Sequence, residues 1–225
     1  MIDAARLHDI AAWSRALEPE ALERVQTAAV ERRYPAGALV CETGHKFDHW
    51  MGVADGLLKM RAISREGKEV TLSGVHSGGW FGEGTILKNE LRRYDIVAIR
   101  PSSLAMIDRT TFMWLFENSG AFARFLVVQM NERLGHFIGL LENDRMLDAT
   151  GRVARAVAIM FNPVLYPDSG RHLDLTQEEL GLLAGVSRPT ANQAIRQLQA
   201  QGLLRAEYGG ITILDLNGLK TYGAE

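Results

Sequence analysis

Residues 175–204 read LTQEELGLLAGVSRPTANQAIRQLQAQGLL, and the reading of this stretch decides what the chain builds at its C-terminal end. Thr176 opens a first helix: its hydroxyl can accept the Glu179 amide hydrogen while the Glu179 carboxylate reaches back to the Thr176 amide. Leu180 and Leu183 fall on one face, Gly185 makes a tight turn, and Val186 tucks beneath it. Ser187 caps a second helix, and Pro189 sits in its first turn, where a missing amide hydrogen costs nothing. On that second helix Ala191, Ala194, Ile195 and Leu198 mark the buried side. Ser187 and Pro189 at its start, with Arg188, Thr190, Asn192, Gln193, Arg196 and Gln197, are left for solvent or a partner.

Two short helices joined by a glycine turn make a helix-turn-helix, whose second helix suits the major groove of double-stranded DNA. The stretch that follows, LLRAEYGGITIL, places two strands on either side of Gly209-Gly210, which predicts a hairpin wing. From Ala184 to Arg205 there are three arginines and no acids. A local positive charge beside several amide side chains fits a surface that meets phosphate and then reads base edges, since Arg can pair bidentately with guanine and Asn or Gln with adenine. The same pattern also suits an ordinary helical hairpin with a solvated polar face.

The remaining chain is ordinary in composition. It has 225 residues, 47% hydrophobic and 23% charged, with a net charge of -2, which excludes a polycationic nucleic-acid coat and leaves room for two domains. The first 25 residues mix acids among apolar residues and do not read as a secretory signal, and no run is long enough to span a membrane, so a cytoplasmic protein is expected. A single cysteine, Cys41, excludes an intrachain disulfide and an iron–sulfur cluster held by four cysteines of one chain.

In chain order, residues 4–33 have helical spacing that ends at Tyr34-Pro35-Ala36-Gly37. From Ala38 to Arg109 short apolar runs alternate with frequent glycines, the texture of a sandwich or β-roll. Helical spacing returns over 111–147. There Leu126, Met130, Arg133, Phe137, Leu140, Asp144 and Leu147 recur at alternating steps of four and three, a heptad-like seam suited to pairing with a second copy. Such a dimer would hold two recognition helices roughly 34 Å apart on a two-fold operator. Residues 148–152 interrupt that helix, and 162–174 read as a loop. The expected class is therefore α+β, with an N-terminal β-roll (1–110), a central dimerisation helix (111–148) and a C-terminal winged helix-turn-helix (149–225).

Several motifs now combine. Gly67-Lys68-Glu69 is followed by Leu72, then Gly78-Gly79-Trp80-Phe81-Gly82-Glu83, then Arg93 ten residues on. Leu147-Asp148-Ala149-Thr150-Gly151-Arg152 follows the long helix, and Gly185-Val186-Ser187-Arg188-Pro189-Thr190 lies in the helix-turn-helix. In order and spacing the chain resembles, over nearly its full length, the transcription regulators related to the cyclic AMP receptor protein and the fumarate–nitrate reduction regulator (the Crp/Fnr superfamily). The resemblance implies a jelly-roll β-roll of the cyclic-nucleotide-binding type, a dimerising helix, a winged helix-turn-helix, and a homodimeric regulator with RNA polymerase as a further partner.

In that family a Gly-Glu pair opens a helical turn and an Arg-Ser pair closes it; amides and a guanidinium hold a cyclic phosphate while the glutamate takes a ribose hydroxyl. The resemblance carries these roles onto Gly82, Glu83 and Arg93. Tyr94 stands where the small hydroxyl residue belongs, with Asp95 after it. Counting back from Thr150-Gly151 puts Phe137 and Ile138 where the family's receptor bonds adenine through a Thr-Ser pair, and neither can supply those bonds. Cyclic AMP in its usual pose is not expected. Another cyclic nucleotide, a cyclic dinucleotide such as cyclic di-GMP, a different small molecule, or no ligand all remain open, as does an ion pair of Glu83 with Arg93 that only holds the roll together.

On the DNA side the receptor's Arg-Glu-Thr followed by an arginine becomes Arg188, Pro189, Thr190 and Gln193, which predicts a different operator. Two other functions compete. One is an effector-independent regulator that uses the roll as a scaffold. The other is a metalloenzyme of the cupin sort built on His45, His49, His76 and Glu83, whose spacing lacks the tight His-x-His pair such sites need. No metal site and no enzyme are expected.

Overall fold

The computed structural model describes residues 2–223, without the side chains of 140–146. Residue contacts divide the chain into two compact units, 1–69 with 74–131, and 70–73 with 132–225.

The first unit opens with helix α1 (Ala4–Ile10), a 3-10 turn (Ala12–Ala16) and helix α2 (Pro19–Ala28). The strands follow: β1 (Val30–Tyr34), β2 (Leu39–Cys41), β3 (His49–Asp55), β4 (Leu57–Ile63), β5 (Glu69–His76) and β6 (Trp80–Phe81). After the short helix α3 (Glu83–Lys88) come β7 (Asp95–Ala98), β8 (Ser102–Asp108) and helix α4 (Arg109–Asn118). The strands form two four-stranded sheets, in the orders β1-β8-β3-β6 and β2-β7-β4-β5, and the roll expected from the glycine-punctuated runs is present.

Side chains of a strand alternate between faces, and this divides the first sheet. Trp50, Trp80, Ala105 and Ile107 join a core with α1, the 3-10 turn, α2 and α4, while Met51, Phe81, Leu104 and Met106 are buried outside that cluster. Trp13 sits at its centre, with ring centroids 5.1 Å from Trp50, 5.2 Å from Trp80 and 5.2 Å from Phe122. Edge and tilted contacts of this kind add to what burial of the rings alone supplies. The Trp80 indole N–H donates to the Ile10 carbonyl at 3.0 Å, tying α1 to the strand that leads into α3.

The chain then forms the long helix α5 (Gly120–Met146) and helix α6 (Ala149–Met160). Ser119 separates α4 from α5: it ends α4 in an extended conformation, and its hydroxyl accepts the Phe122 amide at the start of α5. The second unit continues with β9 (His172–Asp174), α7 (Gln177–Ala184), α8 (Arg188–Ala200), β10 (Leu204–Glu207), β11 (Gly210–Ile213) and α9 (Leu216–Thr221).

Four boundaries differ from the expectations of spacing. Val30–Tyr34 is a strand, because pairing with β8 from Val30↔Met106 to Tyr34↔Ser102 outweighs the helical spacing of the residues before it. The break after α5 is narrower than 148–152: Asp148 caps α6 by accepting the Gly151 amide at 2.8 Å, so 149–152 are already helical. His172–Asp174 is no loop but the third strand of the wing sheet, ordered β10-β11-β9. A last helix, α9, capped by Asp215, follows the wing.

The capping box is present in full: Thr176 Oγ1 accepts the Glu179 amide at 3.2 Å, and the Glu179 carboxylate accepts the Thr176 amide at 2.7 Å. Thr176→Ala is expected to lower the stability of the second unit by about 1 kcal/mol, read as a shift in its urea unfolding midpoint; no shift would mean that water replaces the cap at no cost.

Candidate functional site

Helix α8 shows how local sequence sets up an exposed polar face. Gly185 closes α7 with φ of +64°, a conformation that favours glycine. Ser187 Oγ then accepts the Thr190 amide at 3.3 Å and meets the Thr190 hydroxyl at 2.7 Å. Ala191, Ala194, Ile195 and Leu198 are buried, which turns the opposite side outward. Ser187, Arg188, Pro189, Gln193 and Arg196 are exposed, with Thr190 and Asn192 half-buried. A surface hollow of about 640 Å³ is lined by Arg188, Pro189, Asn192, Gln193, Arg196, Gln197 and Ala200. This face carries two guanidinium groups and three amides and no carboxylate, so it offers donors to phosphate and both donors and acceptors to base edges.

Gln197 belongs to this face, although position along the chain singles it out less than the residues of the first turns. Its Oε1 accepts the Thr150 hydroxyl at 2.5 Å, and two residues on Gln199 Oε1 accepts the Ala206 amide of β10 at 3.0 Å. Helix α8 is thereby tied to α6 on one side and to the wing on the other.

In the first unit a second site forms at the start of α3. Gly82 caps that helix with φ of +104°, and a Cβ there would stand 2.9 Å from Arg92 Nη2 and 3.3 Å from the His49 carbonyl. Glu83, the first residue of the helix, is buried. The arginine against Gly82 is Arg92, not Arg93. Arg92 is 2% exposed, whereas the Arg93 side chain is 75% exposed and bonds Glu90 at 3.0 Å. The physical reason lies in the short segment after α3. The Arg92 amide donates to the His45 carbonyl at 3.1 Å and the Gly44 amide donates to the Arg92 carbonyl at 2.8 Å, which turns that side chain inward and its neighbour outward.

The Arg92 guanidinium lies 5.6 Å from the Phe47 ring centroid, and its Nε, Nη1 and Nη2 have no hydrogen-bond partner among the described residues. A buried guanidinium with five donors normally finds acceptors. Cys41 lies close enough to feel its charge, but burial dominates and the thiol is pushed up to about 11, so it stays protonated at neutral pH. Asp95 is bonded within its own unit. It accepts the Thr43 amide and hydroxyl, both at 2.8 Å, and pairs with Arg61 at 3.3 Å. Burial pulls its carboxyl upward, and these donors outweigh burial and hold it below the usual range. Tyr94 is half-buried. Phe137, half-buried, and Ile138, exposed, stand on α5 within the second unit.

The residues predicted to form a seam on α5 do not share one exposed face. Leu126 is 1% exposed and packs into the core of its own chain with Phe122 and Trp13. It cannot face a second copy. Met130 is exposed, Arg133, Phe137 and Leu147 are half-buried, and the side chains of Leu140 and Asp144 lie outside the described residues. Leu147 packs locally, where a Cβ on Gly151 would meet it at 3.0 Å. The exposed apolar stripe consists of Val127, Met130, Leu134 and Ile138, with steps of three, four and four. Exposure along a helix is not visible in spacing alone when apolar residues flank it on both sides.

Among the histidines weighed for a metal, His45 is exposed beside Glu42 at 3.3 Å and His76 is buried. Among the described residues no group of three His, Cys, Asp or Glu is placed to hold a metal ion, and no described helix is long and apolar enough to cross a membrane.

Residues 31–119 match the family model of the cyclic nucleotide-binding domain, and residues 151–222 that of the Crp-like helix-turn-helix domain. The chain is 28% identical over 178 residues to the cAMP-activated global transcriptional regulator CRP of Pasteurella multocida, covering 77% of this chain and 85% of that protein. Among solved structures it is similar to the c-di-GMP responsive global regulator CLP of Xanthomonas campestris, with 25% identity, 87% and 99% coverage and a TM-score of 0.59. It shares its fold with FixK2 of Bradyrhizobium japonicum, with 19% identity, 88% and 98% coverage and a TM-score of 0.68.

Proposed function

We infer from its place in the Crp/Fnr superfamily of transcription regulators, to which this chain belongs, that it acts as a homodimer reading a palindromic operator through α8 under the control of an anionic effector held in the roll. The observation that carries the DNA reading is the acid-free outer face of α8, led by Arg188 on the turn that Ser187 caps and Gln193 on the next. Arg188 recognises guanine or a phosphate. Pro189 offers only apolar contact, such as to a thymine methyl, and Asn192 and Gln193 suit adenine.

The effector reading rests on Arg92, a buried guanidinium without an acceptor among the described residues, beside Gly82 and the first turn of α3. An anion there would supply the missing acceptors. The Thr-Ser pair through which the family's receptor bonds adenine is replaced in this sequence by Phe137 and Ile138, which favours a nucleotide other than cyclic AMP, with cyclic dinucleotides included because a relative is c-di-GMP responsive. Occupancy would bias α5 and with it the placement of the two recognition helices, a population shift between two arrangements.

The test is fluorescence anisotropy on duplexes selected by the protein from a random library. Arg188→Ala is expected to weaken binding to a selected duplex by about 1–3 kcal/mol. A loss confined to that duplex assigns Arg188 to a base, and an equal loss on scrambled DNA assigns it to phosphate. Failure of the wild-type protein to select any palindromic sequence at moderate salt would end the reading.

A further inference from the structure

Thr150 and Gln197 come from different elements, and their contact bears on what the recognition helix can read. Thr150 lies in the first turn of α6, shortly beyond the end of α5, and is buried. Its Oγ1 donates to Gln197 Oε1 at 2.5 Å. Gln197 is exposed and follows Gln193 by one helical turn on the hollow that α8 presents.

A glutamine amide owes its recognition of adenine to using both ends at once, the oxygen accepting from N6 and the nitrogen donating to N7. Here the oxygen is already engaged by a buried hydroxyl. That bond turns the oxygen inward and leaves the amide nitrogen with its two hydrogens outward, so the side chain presents its donor end to a partner. We propose that Thr150 is a positioning residue for DNA recognition: by holding the Gln197 oxygen, it turns Gln197 into a donor-only contact for an acceptor on DNA, namely guanine O6 or N7, thymine O4 or a phosphate oxygen. Without that bond the amide rotates freely and can offer either end.

This inference rests on α8 being the surface that meets DNA, and the experiment keeps the two apart. Binding of the full-length protein is measured by fluorescence anisotropy on a duplex selected by wild type from a random library and on a scrambled duplex. Thr150→Val removes the hydroxyl at nearly constant shape and lowers affinity for the selected duplex about threefold to tenfold, the range of one hydrogen bond. Thr150→Ser, which keeps the hydroxyl, restores it to within about twofold. In a Gln197→Leu background Thr150→Val is silent, because the group it orients is gone. A role confined to packing α6 on α8 would instead give the same loss in both backgrounds, and that additivity overturns the proposal, as does an unchanged affinity in Thr150→Val alone. A loss limited to the selected duplex puts the acceptor on a base; an equal loss on scrambled DNA puts it on a phosphate. If wild type selects no duplex at all, the DNA reading itself has failed; if it selects one and Thr150→Val leaves binding untouched, only this inference has.

Discussion

Arg92→Met is expected to make the ligand-free protein more stable, by about 1–4 kcal/mol. The substitution keeps an unbranched stem of similar length while removing a charge that is 2% exposed and whose three nitrogens lack hydrogen-bond partners among the described residues. Two effects oppose the gain. The contact with the Phe47 ring is worth about 0.5–2 kcal/mol, and the stem of an arginine packs as an apolar chain. Against them stands the desolvation of a guanidinium, which costs several kcal/mol even after relaxation and therefore decides the sign. Urea unfolding followed by tryptophan fluorescence measures it, since Trp13, Trp50 and Trp80 all lie in the first unit.

The same variant tests what the charge is for. A ligand that binds the folded state at a hundred times its Kd stabilises by about 2.7 kcal/mol. Wild type is expected to gain this from at least one member of a panel of cyclic mononucleotides and cyclic dinucleotides, and Arg92→Met from none. Arg93→Met, at an exposed position paired with Glu90, changes neither measurement beyond about 0.5 kcal/mol. A ligand-free Arg92→Met protein that is less stable than wild type would show that the guanidinium is satisfied, and the anion site would go with it.

The contrast between Arg92 and Arg93 marks where the sequence stops being legible. The helix-turn-helix could be read almost residue by residue because its determinants are local: the Thr176–Glu179 box, the glycine turn and the Ser187 cap each act over no more than four residues, and every position read as apolar on α8 is buried. The arginine at Gly82 is set instead by hydrogen bonds of Gly44 and His45 with the backbone of residue 92, and two adjacent arginines look alike to any count along the chain. The same holds for β1 and β9, whose strand state comes from partners some 72 and 40 residues away. On α5, apolar residues stand on two faces at once. The regular alternation of fours and threes joined Leu126, which belongs to the core, to Met130, which faces outward.

The exposed stripe of α5 is expected to hold two copies together. Val127, Met130, Leu134 and Ile138 present a stripe close to the 3.6-residue period of a straight helix, and Leu134 is 59% exposed. In a two-fold pair each of these side chains is used twice. Leu134→Glu with Ile138→Glu therefore removes four apolar contacts from a dimer and puts four carboxylates along its axis. Losing even half the burial of each side chain costs about 1 kcal/mol apiece, and like-charge repulsion adds to it, so the dimer dissociation constant is expected to rise at least about a thousandfold. Glutamate is a good helix former, so far-ultraviolet circular dichroism stays near that of wild type while sedimentation velocity at micromolar concentration shows a monomer. Affinity for a palindromic duplex falls with it by about 10²–10⁴, the gain that a second linked module supplies, whereas binding to a single half-site is unchanged. Leu126→Ala behaves in the opposite way: it costs about 2–5 kcal/mol of folding stability and leaves the association of the folded protein intact. A double variant that still sediments as a dimer would move the interface off this face of α5.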